Sequence, residues 1–217
     1  VGVLIVVLAL VTWQQRRRVP VSPLWPLLTL VWVCVQGAFG ALTVTMKLFP
    51  AIVTLHLLGG LGLLALLRAQ SVQYARADQA WPVVGLPRAT VLALWGVFGL
   101  LWIQIALGGW VSTNYAVLAC TEFPMCQGSW WPNMDFATGF QWWRELGMDR
   151  SGAAIPFAAL TAIHMVHRLF AVLVIAALGW AAWRLWRTDP ALRGQARWLA
   201  LGAAWQLGSG LSNVILD

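Results

Sequence analysis

ATVLALWGVFGLLWIQIALGGWV, residues 89–111, runs twenty-three positions without a charged side chain. A helix rising 1.5 Å per residue needs about 20 such residues to cross the roughly 30 Å hydrocarbon core of a bilayer. The stretch therefore reads as a membrane-spanning helix. Leu24–Met46, Ala51–Leu67, Pro156–Trp180 and Trp198–Leu216 share its character. Val1–Trp13 is equally apolar but supplies only about 20 Å of helix. Val1 is not a methionine, no basic segment and small-residue cleavage site mark a signal peptide, and the last span ends at Asp217. The chain is thus expected to be the middle part of a longer protein. Of its 217 residues 60 % are hydrophobic and 10 % charged, and the mean hydropathy is +0.75. A soluble domain carries about a quarter charged residues. Composition excludes a soluble globule and a disordered chain, and three cysteines are too few for a disulfide-dense secreted scaffold. The expected fold is all-α, a polytopic membrane helical bundle.

The net charge of +7 is explained by where the cations sit. The first, third and fifth connections hold Arg16, Arg17, Arg18, Arg68, Arg76, Arg88, Arg184, Arg187, Arg193 and Arg197; the other side holds Lys47, Arg144 and Arg150. The positive-inside rule puts the arginine-rich connections in the cytoplasm or its mitochondrial equivalent and loop 112–155 on the outer face. Nucleic acid is not needed to account for the charge. Residues 1–68 and 89–217 form two parts joined by a connecting loop, 69–88. Of the 16 tryptophans, Trp13, Trp25, Trp81, Trp110, Trp183, Trp186 and Trp198 fall at span ends, as an aromatic belt requires. Trp130–Trp131 and Trp142–Trp143 suggest an outer loop folded back onto the membrane surface.

Three spans repeat one pattern. Gln36-Gly-Ala-Phe-Gly40, Gln104-Ile-Ala-Leu-Gly108 and Gln206-Leu-Gly-Ser-Gly210 each put an amide and a glycine four apart, on one helix face. Close helix packing and contact with a bound ligand both fit such a face. All three histidines lie within spans. His56 precedes Gly59, Gly60 and Gly62; His164 and His167 sit three apart, with Arg168 directly after. Ionisable groups at that depth are costly and are candidates for function. Imidazole ligates haem iron, glycine surfaces suit a porphyrin face, and arginine pairs with a propionate. The alternative is hydrogen-bonded packing. No Cys or carboxylate accompanies the histidines at zinc-ligand spacing, and no carboxylate in the spans could orient a nucleophilic triad. On an oxidising face Cys120 and Cys126 read as a disulfide, either a structural clip or a reducible bridge. Cys34, mid-span, reads as a packing residue.

These segments resemble the haem A synthase family, membrane enzymes that convert haem O to haem A. The resemblance is carried by Gln104–Asn114, by Cys120-Thr-Glu-Phe-Pro-Met-Cys-Gln-Gly-Ser-Trp-Trp-Pro132 and by Ile163-His-Met-Val-His-Arg168, with Gln36–Thr45 and His56-Leu in support. It implies eight transmembrane helices in two pseudo-repeated four-helix halves, this chain running from the end of helix 2 to helix 7. By resemblance His56 ligates substrate haem O in the first half, and His167 is an axial ligand of cofactor haem b in the second. His164 takes the place of a first-half glutamate implicated in catalysis; His164 and Arg168 are candidate haem-site or propionate contacts. Cys120 and Cys126 match an outer-loop cysteine pair. The implied reaction oxidises a haem O methyl group to a formyl, with water as the oxygen source, for aa3-type terminal oxidases. Haem O synthase and oxidase assembly factors are implied partners, and a bacterial cytoplasmic or mitochondrial inner membrane the setting. Catalytic residues stay unassigned. The family's Glu-x-x-His-Arg motif falls before Val1 and its last haem ligand after Asp217. Residues 1–217 alone are expected to make no haem A in a membrane supplied with haem O; haem A formation there would refute this. Two rivals are a b-type cytochrome that only relays electrons and a transporter built from repeats. A prenyltransferase is set aside, because no paired aspartates are present to hold magnesium and diphosphate.

Overall fold

The computed structural model describes residues 1–17, 21–78 and 84–215. Arg18, Trp81 and Leu216, which entered the reading above, lie outside them. The described residues form helices and loops with no strand: α1 (Gly2–Gln14), α2 (Leu24–Thr45), α3 (Pro50–Asp78), α4 (Arg88–Thr113), a 3-10 turn (Ala116–Ala119), α5 (Phe136–Gly139), α6 (Phe157–Thr188), a second 3-10 turn (Pro190–Leu192) and α7 (Arg193–Ile215). Among the described residues α2, α3, α4 and α6 are long and apolar enough to cross a membrane, and α1 is apolar but shorter. The chain is a multi-pass, all-α membrane protein.

Two helices run past their expected ends. α3 continues through residues 69–78, which were expected to be loop. Arg68, Gln70, Gln73 and Arg76 are polar, but arginine and glutamine are good helix formers and no Gly or Pro interrupts them. α6 likewise runs past Trp180 to Thr188. It stops at Asp189-Pro190, where proline disfavours helix in the preceding residue and the Asp189 carboxylate accepts from the Ala191 amide at 2.7 Å. α7 has the length of a span; the expected span Trp198–Leu216 ends outside the described residues.

Two compact units divide the chain. Residues 1–48 and 52–83 make the first. There polar side chains set helix register in otherwise apolar contacts. The Thr12 hydroxyl meets the Tyr74 hydroxyl at 2.5 Å, joining α1 to α3. The Gln70 amide donates to the Trp25 carbonyl at 3.2 Å and to the Thr29 hydroxyl, and the Trp32 indole donates to the Gly59 carbonyl at 2.8 Å. Cys34, expected to pack inside, is exposed on α2.

Residues 49–51 and 84–217 make the second unit, in which α6 packs against α4 and α7. Its long loop, 112–155, is folded onto the helix ends. A Cβ at Gly139 would stand 2.7 Å from the Ala159 carbonyl oxygen, so α5 meets the first turn of α6 backbone to backbone. The Trp110 indole donates to the Gly139 carbonyl at 3.0 Å and is 8 % exposed. Trp110 is thus an internal brace, not the belt residue expected. Arg144 is buried; it donates to Asn114 Oδ1 at 2.5 Å and to the Met148 carbonyl at 3.2 Å, with its guanidinium over the Trp110 ring. Burial pushes the Arg144 pKa down and Asp149 pulls it back up. Trp130, Trp131, Trp142 and Trp143 are exposed.

Candidate functional site

The Gln-x3-Gly faces of α2 and α4 turn out to be where the histidines sit. In the first unit a Cβ at Gly40 would stand 3.3 Å from His56 Cε1. In the second a Cβ at Gly108 would stand 3.1 Å from His167 Cε1. Contacts of 3.0–3.4 Å are tighter than most real Cβ contacts, so each glycine leaves room for the edge of an imidazole. The glutamines also point toward the histidine-bearing helices. The Gln104 amide nitrogen is 3.1 Å from His167 Nδ1 and donates to the His167 carbonyl at 3.3 Å. The Gln36 amide lies against Gly59, one turn past His56, in space that a Cβ there would need. Gly59 is therefore filled by Gln36 and is no part of a flat surface beside the imidazole, while Gly60 has open space. The third copy behaves differently: Gln206 is exposed and Gly210 meets nothing within 4 Å among the described residues.

His164 and His167 face different neighbours. His167 is half-buried toward α4, whereas His164 is 4 % exposed and its Nε2 accepts from Arg168 Nε at 3.2 Å. The remaining Arg168 donors go to the cysteine loop. One terminal nitrogen reaches the Glu122 carbonyl at 2.8 Å and the Met125 carbonyl at 3.2 Å; the other reaches the Cys120 carbonyl at 2.9 Å.

Cys120 and Cys126 form a disulfide, with a Cα–Cα distance of 4.9 Å. It packs on Met165 of α6 together with Met134. The following turn has Gln127 at φ 56° and Gly128 at φ 71°. Gly128 suits that left-handed conformation. Gln127 tolerates it because its side-chain amide donates to the Ala119 carbonyl at 3.0 Å and to the Thr161 hydroxyl at 2.8 Å. The loop is therefore fastened to α6 at Thr161, Met165 and Arg168. Those positions are i, i+4 and i+7, one stripe of the helix. Sequence reasoning missed Gln127, Arg144 and the Gln104–His167 contact, which joins residues 63 positions apart. Arg144 was legible only as one of the few outer cations.

A cavity of about 820 Å³ opens beside loop 112–155, with Phe49, Trp142, Arg144 and Arg150 among its lining residues and none of the histidines. The histidine sites themselves suit an axial ligand. No group of three or more His, Cys, Asp or Glu gathers to hold a bare metal ion among the described residues. Each unit instead offers a single imidazole beside a glycine, and His56 Nδ1 is buried without a hydrogen-bond partner. One nitrogen donor per unit fits the iron of a macrocycle that brings its own four ligands.

The fold and site together define a membrane helical bundle with intramembrane histidines on repeated glycine faces. Over residues 1–217 the sequence matches the family model COX15-CtaA, cytochrome oxidase assembly protein, and the chain belongs to that family. It is 36 % identical over 162 residues to the Heme A synthase of Shewanella oneidensis, covering 74 % of this chain and 49 % of that one. It is 23 % identical over 139 residues to the Heme A synthase of Halalkalibacterium halodurans, covering 64 % and 47 %. The chain spans about half the length of the curated relatives it matches.

Proposed function

We propose that the chain forms part of a haem A synthase, which oxidises a haem O methyl group to a formyl for terminal oxidases of the aa3 type. The observation that carries this reading is the repeat of one arrangement in both units: a histidine edge on the glycine of a Gln-x3-Gly face. The similarity to the Heme A synthases named above supports it. His56 would hold the substrate haem O and His167 the cofactor haem b. When bound, haem b supplies one-electron transfer. Methyl to formyl removes four electrons and four protons and takes up one water oxygen.

The chain's own residues bind and orient. Gly40 and Gly108 let each imidazole approach its neighbouring helix, which fixes the ring edge-on. Arg168 holds the Cys120–Cys126 loop against α6 one residue from His167, so the backbone that carries the ligand is braced from outside. His164, bonded to Arg168, belongs to that brace. The setting is a bacterial cytoplasmic membrane, or a mitochondrial inner membrane, with loop 112–155 on the outer face. Haem O synthase and oxidase assembly factors are the partners that would supply haem O and take haem A.

The test is to express the full-length protein with a source of haem O and extract its haems for mass spectrometry. Haem A, or its hydroxylated precursor, is expected. Haem b alone would contradict the reading and favour an electron-relaying b-type cytochrome.

A further inference from the structure

Each unit carries one glutamine that reaches across to the histidine-bearing helix and has so far been given no task. We propose that Gln104 is the positioning residue of His167: its amide engages the Nδ1 edge of the ring, so that Nε2 is the nitrogen presented to a porphyrin iron. This rests on the reading of His167 as an axial ligand.

A ligating imidazole gives one nitrogen to the metal while the other carries the proton, and the group accepting that proton sets tautomer and ring plane. The Gln104 amide nitrogen stands 3.1 Å from Nδ1 and 3.5 Å from Nε2, so Nδ1 is the nearer of the two. Gly108, one turn along α4, takes the Cε1 edge. α4 therefore meets the ring at two points, and Nδ1 is the nearer nitrogen at both. In this structure the amide nitrogen faces Nδ1, which suits a ring protonated on Nε2. The other end of the same amide, Oε1, is buried without a hydrogen-bond partner. A half-turn about the last side-chain bond exchanges the two ends. It gives up the 3.3 Å bond to the His167 carbonyl and sets an acceptor against Nδ1–H, which frees the Nε2 lone pair.

An unpartnered amide oxygen at this depth is costly and asks for a role. The unsatisfied amide oxygen recurs in the first unit: Gln36 Oε1 is buried without a partner, as is His56 Nδ1, with Gly40 again against the ring. Both glutamines stand four residues before the glycine that meets the imidazole, unlike Gln70, whose amide oxygen is also buried without a partner but lies on no such face.

Full-length protein carrying Gln104→Leu, Gln104→Glu or His167→Ala is purified, its b-type haem quantified by absorption and its midpoint potential measured by redox titration. Leucine removes the acceptor from Nδ1–H, which makes the imidazole a poorer donor, so the potential should rise. Glutamate keeps an oxygen at the same reach, so the potential should stay at or below the wild-type value. Loss of haem from the leucine variant that the glutamate variant restores also supports the proposal. An unchanged potential in a leucine variant that keeps its haem would overturn it, and so would loss of haem from both. Retention of b-type haem at the wild-type potential in His167→Ala would instead sink the ligand reading on which the proposal stands.

Discussion

Arg168→Ala is expected to unfasten loop 112–155 from α6. The wild-type guanidinium donates to the carbonyls of Cys120, Glu122 and Met125 and to His164, all within 3.2 Å. A hydrogen bond involving a charged group contributes about 1.5–3 kcal/mol net, and such terms do not add fully, so roughly 3–5 kcal/mol is at stake. For a protein of this size that corresponds to a fall in Tm on the order of 6–15 °C. Thermal unfolding in detergent and protease nicking within residues 112–155 would both report it. Arg168→Lys keeps the charge but not the planar fork, and should recover less than half of the loss. A Tm within about 1 °C of wild type, with the loop still resistant, would mean that these bonds contribute little net stability.

Gly108→Val should have the second large effect, on haem content more than on folding. The Cβ alone would stand 3.1 Å from His167 Cε1, and valine adds two methyl groups beyond it. Overpacking of this kind typically costs about 1–3 kcal/mol, and about 1.4 kcal/mol is already tenfold in an equilibrium constant. The ring is the movable partner, so it should turn away from Gln104, and b-type haem per protein should fall about tenfold or more. Gly108→Ala should fall between valine and wild type. Gly96→Ala, on the same helix with nothing within 4 Å, is the control and should leave haem content unchanged. Wild-type haem content in the valine variant would show that the glycine is not a clearance for the ligand.

Much of this architecture was legible in the sequence, because apolar length is a property of the chain itself. Residues 24–46 and 89–111 needed only a count of uncharged positions, residues 156–180 carry a single charge at Arg168, and α2, α4 and α6 follow. Helix ends were less legible. Arg68, Gln70 and Arg76 signal the edge of the hydrocarbon and not the end of a helix, so α3 runs on to Asp78.

The site was legible as parts and not as pairs. The Gln-x3-Gly repeat was visible, and so were the histidines, but nothing local links Gly108 to His167 or Gly40 to His56. Those pairings are made by helix packing. Arg168 shows the same limit: nothing beside it in the sequence links its donors to three loop carbonyls up to 48 positions away. Trp110 counted as a belt residue until Gly139 supplied a carbonyl within 3.0 Å of its indole.

The central claim is that His56 and His167 serve two different haems. Separate His56→Ala and His167→Ala variants of the full-length protein, each loaded with haem O and analysed by haem extraction and absorption, test it most directly. His167→Ala should lose b-type haem while still retaining haem O. His56→Ala should keep b-type haem, fail to retain haem O and form no haem A. Loss of the same haem from both variants, or of neither, would contradict the account.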